Sequence, residues 1–131
     1  MISTRGRYAI RLMLDLAKYG EGQPQPLKEI AERQQISKKY LEIIAKELVD
    51  GGFILGSSGR NGGYRLIRSP KEYPVGEILE RMEGTLSPVA CLSEKDYNCP
   101  REKTCETLPM WKEYHQLIHD FFYGKTLEDL L

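Results

Sequence analysis

Three cysteines lie within fifteen residues of this chain, at Cys91, Cys99 and Cys105. Thiolates are soft ligands that favour iron–sulfur clusters, zinc and copper(I). Structural zinc sites use closer pairs, typically with two to four residues between ligands, whereas the gaps here are seven and five residues. Wide gaps indicate a loop that wraps around something larger than one ion, as a chain does around a two-iron cluster. On spacing alone, an iron–sulfur cluster, a zinc ion and unligated thiols remain three alternatives.

Three cysteines leave a four-coordinate site one ligand short. His115 and His119 stand four residues apart on a predicted helix, so together with Cys99 and Cys105 they form a candidate zinc set. His115 would lie several helical turns from Cys105, which makes convergence awkward. An odd, clustered set of cysteines in a chain without a secretory signal argues against a disulfide framework. The cysteines therefore predict a metal or redox site.

A second candidate site lies in residues 37–66, where a helical pattern is followed by a hairpin pattern. Ser37 is a suitable N-cap, and the apolar residues after it recur at helical spacing until two glycines end the run. The opposite helix face carries Lys38, Lys39, Glu42, Lys46 and Glu47. Two short β-type runs, 53–55 and 64–67, flank a Gly/Ser/Asn loop with Arg60 near its tip. This order is typical of a winged helix-turn-helix, whose helix can enter a DNA major groove.

Five helices are predicted to position these sites. The first three cover about 3–19, 27–33 and 38–50, in the order of a tri-helical helix-turn-helix. The fourth begins near Pro74 and stops at Gly84, and the fifth runs from about Pro109 to Gly124. The stretch between the last two helices shows no period, and a structureless loop of that length usually has a function or is disordered. The expected fold is mainly α with a small β-hairpin.

The chain is expected to divide into three parts. Residues 1–83 form a winged helix-turn-helix region with its wing at about 53–67, residues 84–106 form a cysteine-bearing loop, and residues 107–131 form a long dimerisation helix and tail. The apolar face of that helix is too broad for one packing contact. Its expected seam steps by three, four and three residues through Trp111, Tyr114, Ile118 and Phe121. One side would pack on its own domain and one on a partner; the alternative is a helix folded back on a monomer.

Net charge is zero, but the two halves of the chain differ. Residues 1–70 carry 12 basic and 7 acidic side chains, and residues 71–131 carry 7 and 12. A basic first half suits contact with nucleic acid. Near the chain start, Arg5 and Arg7 are candidates for phosphate contact, with a solvated helix face as the equally weighted alternative.

Other classes of protein are disfavoured. No stretch approaches a membrane span, and charged residues interrupt the apolar N-terminal run, so we expect no signal peptide, no membrane partner and a cytoplasmic location. The sequence contains no nucleophile–base set and no glycine loop placed to cradle phosphate before a helix. An enzyme is therefore not expected.

Several stretches occur in a specific order: MISTRGRYAIRLMLDLA, SKKYLEIIAKEL, NGGYRL, the three-cysteine loop followed by Trp111, and the ending TLEDL. In this order, over nearly the whole chain, they resemble the bacterial IscR/NsrR/CymR group of winged-helix transcription regulators. The resemblance implies a homodimeric DNA-binding protein. In the IscR and NsrR branches three cysteines of this loop carry an oxygen- or nitric-oxide-sensitive iron–sulfur cluster. The CymR branch lacks that trio and governs sulfur metabolism through a partner enzyme, so the cysteines here favour the cluster-binding branches.

The resemblance also implies residue roles. Cys91, Cys99 and Cys105 are the expected ligands of a 2Fe-2S cluster, with zinc as the lesser alternative. Glu42 matches a glutamate that reads bases, and a carboxylate there would accept a hydrogen bond from a cytosine amino group. Further expected DNA contacts are Ser37, Lys38, Lys39 and Tyr40 at the helix start and Arg60, Gly62, Gly63 and Tyr64 in the wing.

Two departures from the IscR pattern concern the cluster. The first cysteine gap is seven residues where IscR usually has five, and Leu108 stands where IscR has its fourth ligand, a histidine. Leucine cannot ligate a metal. The fourth ligand is then expected to be Glu106, His115 or an oxygen ligand from the N-terminal helix of the partner subunit. A non-thiolate, exchangeable ligand would make the cluster labile, which suits a sensor.

The predicted protein is a homodimeric transcription regulator, a repressor on a palindromic DNA operator, that senses redox, nitric oxide or iron–sulfur status through a labile 2Fe-2S cluster. The alternative is a winged-helix regulator of sulfur or cysteine metabolism, with a thiol or zinc switch and a metabolic-enzyme partner, and without a cluster. A third hypothesis is a protein-interaction module without DNA, whose binding to duplex DNA would lack a steep dependence on salt.

Overall fold

The computed structural model describes residues 1–93 and 99–131. Over these residues the chain folds into five α-helices and one antiparallel hairpin, which confirms the mainly α fold with a small β element. The helices are α1 (Thr4–Tyr19), α2 (Leu27–Gln34), α3 (Lys38–Asp50), α4 (Val75–Glu83) and α5 (Leu108–Tyr123). The strands are β1 (Ile54–Ser57) and β2 (Gly63–Leu66), and single 3-10 turns cover Pro70–Glu72, Ala90–Leu92 and Glu128–Leu130. None of the helices in the described ranges is long and apolar enough to cross a membrane.

Serine side chains cap the N-termini of α1 and α3. The Ser3 hydroxyl accepts a hydrogen bond from the Gly6 N–H at 3.0 Å, and the predicted N-cap Ser37 accepts one from the Tyr40 N–H at 3.1 Å. Each cap satisfies an amide that the helix itself leaves unpaired. The predicted apolar stripes face one shared core, in which the largest fully buried side chains of α1 to α3 are Leu12, Met13, Ile30, Leu41, Ile44 and Leu48.

A buried ion pair fixes α2 against α1. The Asp15 carboxylate is fully buried and lies 2.7 Å from an Arg33 guanidinium nitrogen. A second guanidinium nitrogen donates to the other Asp15 oxygen at 3.1 Å, and the Gln34 side-chain amide donates to that oxygen at 2.9 Å. Three donors thus compensate a carboxylate that burial would otherwise penalise heavily.

The hairpin is attached to the turn that precedes α2. Within it Ile54 pairs with Leu66 and Ser57 pairs with Gly63. The Gln25 and Tyr64 backbones also exchange two hydrogen bonds, of 2.8 and 2.9 Å, and form an isolated antiparallel β-bridge. A Cβ atom at Gly63, whose φ is +152°, would overlap the Gln25 carbonyl, which requires glycine at this position. The hairpin, which is the predicted wing, is therefore fixed to the backbone of the turn before α2.

The last helix packs on its own domain through one side only. Ile118, Phe122 and Tyr123 of α5 pack against a small core formed by Val75, Leu79 and Leu86. Beyond α5 the chain returns to the main core, where Leu127 is fully buried and its N–H donates to the Tyr73 carbonyl at 3.1 Å. The chain ends in a capped turn, in which the Asp129 carboxylate accepts a hydrogen bond from the Thr126 N–H at 2.8 Å.

Candidate nucleic-acid interface and cysteine site

The polar face of α3 is open to solvent. Lys38, Lys39, Glu42 and Lys46 are exposed. Glu47, predicted on the same face, is half-buried because Arg81 of α4 binds both its carboxylate, at 3.2 Å, and its backbone carbonyl, at 3.1 Å. The apolar stripe of α3 is buried in the core, so the helix presents these polar side chains, with the exposed Ile43 among them, to a partner.

Two residues predicted to contact DNA at the start of α3 also have structural roles. The Ser37 hydroxyl is used as the N-cap. The Tyr40 ring is half-buried and packs edge-on against Tyr8 of α1, with 5.7 Å between ring centroids. Both residues set the position and direction of the helix.

In the wing, side chains and backbone have separate roles. Arg60 is exposed in the loop between the strands, as predicted. Tyr64 anchors the hairpin to Gln25 through two backbone hydrogen bonds, and the Gly63 backbone passes too close to the Gln25 carbonyl to carry a side chain. Gly62 closes the tip with an N–H donated to the Gly59 carbonyl at 3.0 Å. Sequence reasoning missed the exposed Arg65 on β2, a second cation on the hairpin that strand alternation could have indicated.

The two N-terminal arginines differ in their surroundings. Arg5 is half-buried and donates to the Met82 carbonyl at the end of α4, at 2.7 Å. Arg7 is exposed, and its guanidinium makes a local hydrogen bond to the Thr4 hydroxyl at 3.0 Å. Of the two, Arg7 is the one whose charge is presented to solvent.

The three cysteines line one small cavity of about 70 Å³ at the start of α5. All three are free and half-buried. The other lining residues are Leu92, Glu102, Leu108 and Lys112. The structure thus brings the three thiols together, although among the residues it describes no three His, Cys, Asp or Glu side chains are placed to hold a single metal ion.

The candidates for a fourth ligand lie at different places. His115 and His119 line a separate groove of α5 together with Lys112 and Gln116, and Glu106 is exposed outside the cysteine cavity. Among the described residues, the acidic residue that lines the cavity is Glu102, which sequence reasoning missed; the Glu102 backbone N–H donates to the Cys99 carbonyl at 3.1 Å. The first fourteen residues of the chain contain no Asp, Glu or His, so an N-terminal ligand from a partner would be a hydroxyl or backbone oxygen.

Cys105 has a more acidic thiol than an ordinary cysteine. Its sulfur lies 3.4 Å from the Thr107 hydroxyl oxygen. Hydrogen bonds from that hydroxyl and from the Thr107 and Leu108 backbone amides, with the positive charge of Arg101, lower the Cys105 thiol pKa. A larger thiolate fraction at neutral pH makes Cys105 both a better metal ligand and a more reactive nucleophile.

This pKa gives a first testable prediction. In a Cys91→Ser/Cys99→Ser variant, the rate of iodoacetamide alkylation should rise with pH through a midpoint below about 8.5, the usual value of a free cysteine. Thr107→Val should move the midpoint upward, because the thiolate loses its hydroxyl donor. Thr104→Val is the matched control, since its hydroxyl bonds to the Arg101 carbonyl and not to the sulfur. An unchanged midpoint in Thr107→Val would contradict the assignment.

The outer side of α5 is apolar and exposed. Met110, Tyr114, Leu117 and Phe121 are about half or more exposed, and Tyr114, Leu117 and Phe121 line a groove of about 720 Å³ against residues 83–88 and the chain start. Of the predicted seam, Trp111 and Ile118 are half-buried, and Ile118 packs on α4. The helix thus uses one side internally and leaves the other uncovered in a single chain.

Known proteins resemble this chain over almost its entire length. The Rrf2 family, described as iron-dependent transcriptional regulators, matches residues 2–131. Protein rrf2 of Nitratidesulfovibrio vulgaris is 38% identical over 130 residues, which cover 99% of this chain and 86% of that protein. CymR (YrzC), the global cysteine regulator of B. subtilis, superposes with a TM-score of 0.78 at 36% identity, covering 99% of this chain and 95% of that one. IscR of T. potens gives a TM-score of 0.74 at 34% identity, covering 99% and 85%.

Proposed function

Because this chain belongs to the Rrf2 family of transcriptional regulators, we propose that it is a homodimeric repressor whose DNA binding is controlled by a labile 2Fe-2S cluster. The IscR and CymR relatives confirm the resemblance noted from the sequence motifs. Regulation of transcription through DNA is common to the family, and the protein is not an enzyme. The cluster, the dimer, the signal and the operator belong to the proposal.

The exposed polar face of α3, beside the anchored hairpin, is the observation that supports the proposed DNA recognition. Lys38, Lys39 and Arg7 are exposed cations that would contact phosphates, which position a protein on the duplex without selecting sequence. Glu42 would accept from a cytosine amino group in the major groove. Arg60 would reach the neighbouring backbone or minor groove from the wing.

The residues of this interface should separate into two classes in a binding experiment. Glu42→Ala should alter base preference more than total affinity, because it removes a base contact. Arg60→Ala should weaken binding to all sequences and lower the salt slope of log Kd by about one, because it removes a phosphate contact. The measurement is Kd against several duplexes at several salt concentrations. Equal losses on every sequence for Glu42→Ala would refute its base-reading role.

A homodimer is supported by the uncovered apolar side of α5. Tyr114 and Phe121 of the predicted seam remain about half exposed in the single chain, although aromatic side chains gain most when they are buried at an interface. Two copies joined along α5 would present two α3 helices to one duplex. Half-sites for dimeric helix-turn-helix proteins lie one helical turn apart, so the operator would be palindromic.

The cysteine site fits an iron–sulfur cluster in its donor set. Three thiols at one cavity, one of them acidified, supply soft anionic ligands. When bound, a 2Fe-2S cluster supplies a one-electron redox centre that reacts with oxygen or nitric oxide. The seven- and five-residue gaps between the cysteines suit a two-iron cluster, which is larger than the single ion that the described side chains are not placed to hold. As fourth ligand we propose Glu102 ahead of Glu106 and His115, because it lines the cavity.

The test is an iron count on protein isolated and reconstituted without oxygen. The wild type should be red-brown and bind about two irons per chain, and Cys99→Ser should lose most of the iron and the visible absorption. Glu102→Gln should retain the cluster in part but lose it faster in air, whereas the control Glu113→Gln on the exposed face of α5 should match the wild type. Colourless, iron-free wild-type protein after reconstitution would overturn the cluster proposal.

A second candidate function keeps DNA binding but replaces the cluster with a thiol or zinc switch. The acidified Cys105 thiol favours it, since a low thiol pKa is a property of redox-sensing cysteines. A regulator of this kind would control sulfur or cysteine metabolism, with a metabolic enzyme as partner. Zinc in place of iron, or a loss of DNA affinity on peroxide treatment of metal-free protein that Cys105→Ser abolishes, would select this function.

A further inference from the structure

Ile43 is an exposed aliphatic side chain on the polar face of the recognition helix α3. Its side chain is 51% exposed, whereas Leu41, Ile44, Ala45 and Leu48 of the same helix are fully buried. Isoleucine is β-branched and has a lower helix propensity than the lysine and glutamate residues beside it. Neither core packing nor helix stability therefore accounts for isoleucine at this position.

The surroundings of Ile43 are polar and mostly basic. Lys39 lies one helical turn before it and Lys46 one turn after it, and both are exposed. Lys46 is held by Asp50 through a 3.0 Å ion pair, which leaves the space above Ile43 uncovered by that side chain. Glu42, the proposed base-reading carboxylate, precedes Ile43 in the chain. An apolar group thus stands in the middle of a surface otherwise suited to phosphates and base edges.

We propose that Ile43 packs against the 5-methyl group of a thymine in each operator half-site and so contributes to sequence selection. The inference rests on the proposed DNA-binding function of α3. Isoleucine has no side-chain donor or acceptor, so it cannot read the hydrogen-bonding groups of a base edge. In the major groove the thymine methyl is the apolar group that distinguishes one base pair from the others.

Glu42 and Ile43 would contact two nearby bases. Glu42 would select a cytosine through its amino group, and Ile43 would select a thymine through its methyl group. Because the two side chains are adjacent on the helix, the two bases should lie within a few base pairs of each other in the half-site. Removal of the methyl alone should weaken binding roughly three- to fivefold per half-site, the effect expected for one buried methyl group.

The experiment begins with selection of a duplex from a randomised library by the wild-type protein, in both its reconstituted and its metal-free forms. Each thymine of the selected duplex is then replaced by deoxyuridine, which removes only the methyl group. Wild-type protein should lose three- to fivefold in affinity at one thymine per half-site. Ile43→Ala should bind the selected duplex more weakly and be indifferent to that replacement.

A matched control is Ile67→Ala, since Ile67 is 46% exposed and lies past the base of the hairpin, away from its tip. It should respond to deoxyuridine as the wild type does. If the protein selects no duplex at all, the proposed function itself fails. If it selects a duplex but no deoxyuridine weakens binding, or if Ile43→Ala and the wild type respond alike, the thymine contact is refuted and DNA binding stands.

Discussion

Asp15→Ala is expected to lower the free energy of unfolding by about 3 kcal/mol, at the low end of the range seen when a buried ion pair loses one partner. The carboxylate is fully buried and receives hydrogen bonds from Arg33 and Gln34. Without it the guanidinium of Arg33, whose side chain is only 27% exposed, loses its strongest partner. Chemical denaturation at neutral pH measures the loss. Since this pair fixes α2 to α1, DNA affinity should fall as well.

The control is Asp50→Ala, which removes an aspartate from a solvent-exposed pair. Asp50 is 51% exposed and its partner Lys46 is 78% exposed. A surface pair of this kind contributes little, so the unfolding free energy should change by no more than about 0.5 kcal/mol. Similar values for the two variants would show that the buried network does not hold the helix pair together.

Gly63→Ala is expected to displace the wing. The added methyl group would overlap the carbonyl oxygen and the carbonyl carbon of Gln25. Both are backbone atoms, which cannot rotate away as a side chain can. The hairpin must therefore move from the turn before α2, at a cost of roughly 1–3 kcal/mol in stability. DNA affinity should drop about tenfold or more in protein that is still folded, because Arg60 in the loop and Arg65 on β2 move with the displaced hairpin and lose their phosphate contacts.

Gly59→Ala provides the comparison within the same hairpin. Gly59 also has a positive φ, +100°, but a Cβ atom there would meet nothing within 4 Å. It should show only the backbone strain of a non-glycine residue at that φ, without loss of the bridge to Gln25. If Gly59→Ala reduced DNA binding as much as Gly63→Ala, the anchoring of the wing at Gln25 would not be the cause. Circular dichroism and Kd on one duplex are sufficient to separate the two.

Much of the fold follows from local signals. Ser37 and the glycines after Asp50 define α3 to within one residue, because a cap and a breaker act on the backbone next to them. The strands were predicted less well: residues 53–55 and 64–67 were expected, and Ile54–Ser57 pairs with Gly63–Leu66. Gly56 and Ser57 have low strand propensity, and their pairing depends on the opposite strand and on the anchor at Gln25. No sequence pattern near Gln25 predicts its β-bridge to Tyr64.

The residue types that could act at the candidate site were predictable from the sequence, but the contacts between those residues were not. Cysteine spacing indicated a shared site, and the three thiols do line one cavity. Glu102 could not be distinguished from Glu106 by spacing, because the fold of the turn after Cys99 determines which of the two residues lines the cavity. Asp15 pairs with Arg33 and Gln34, eighteen and nineteen positions further along the chain, and no local sequence pattern indicated either partner. Those partnerships arise only when α2 folds back on α1.

The short helix α4 has an unusual place in the molecule. At one end Arg81 holds the last turn of α3 and Met82 receives Arg5 of α1, and along its length it supports α5. Nine residues span roughly 13 Å, so a tilt of about 10° displaces its end by roughly 2 Å. Such a displacement is comparable to the reach of a hydrogen bond to a base. A displacement of α5 against Val75 and Leu79 that tilts α4 would therefore also move the end of α4 that Arg81 joins to α3, the helix with the proposed base contacts.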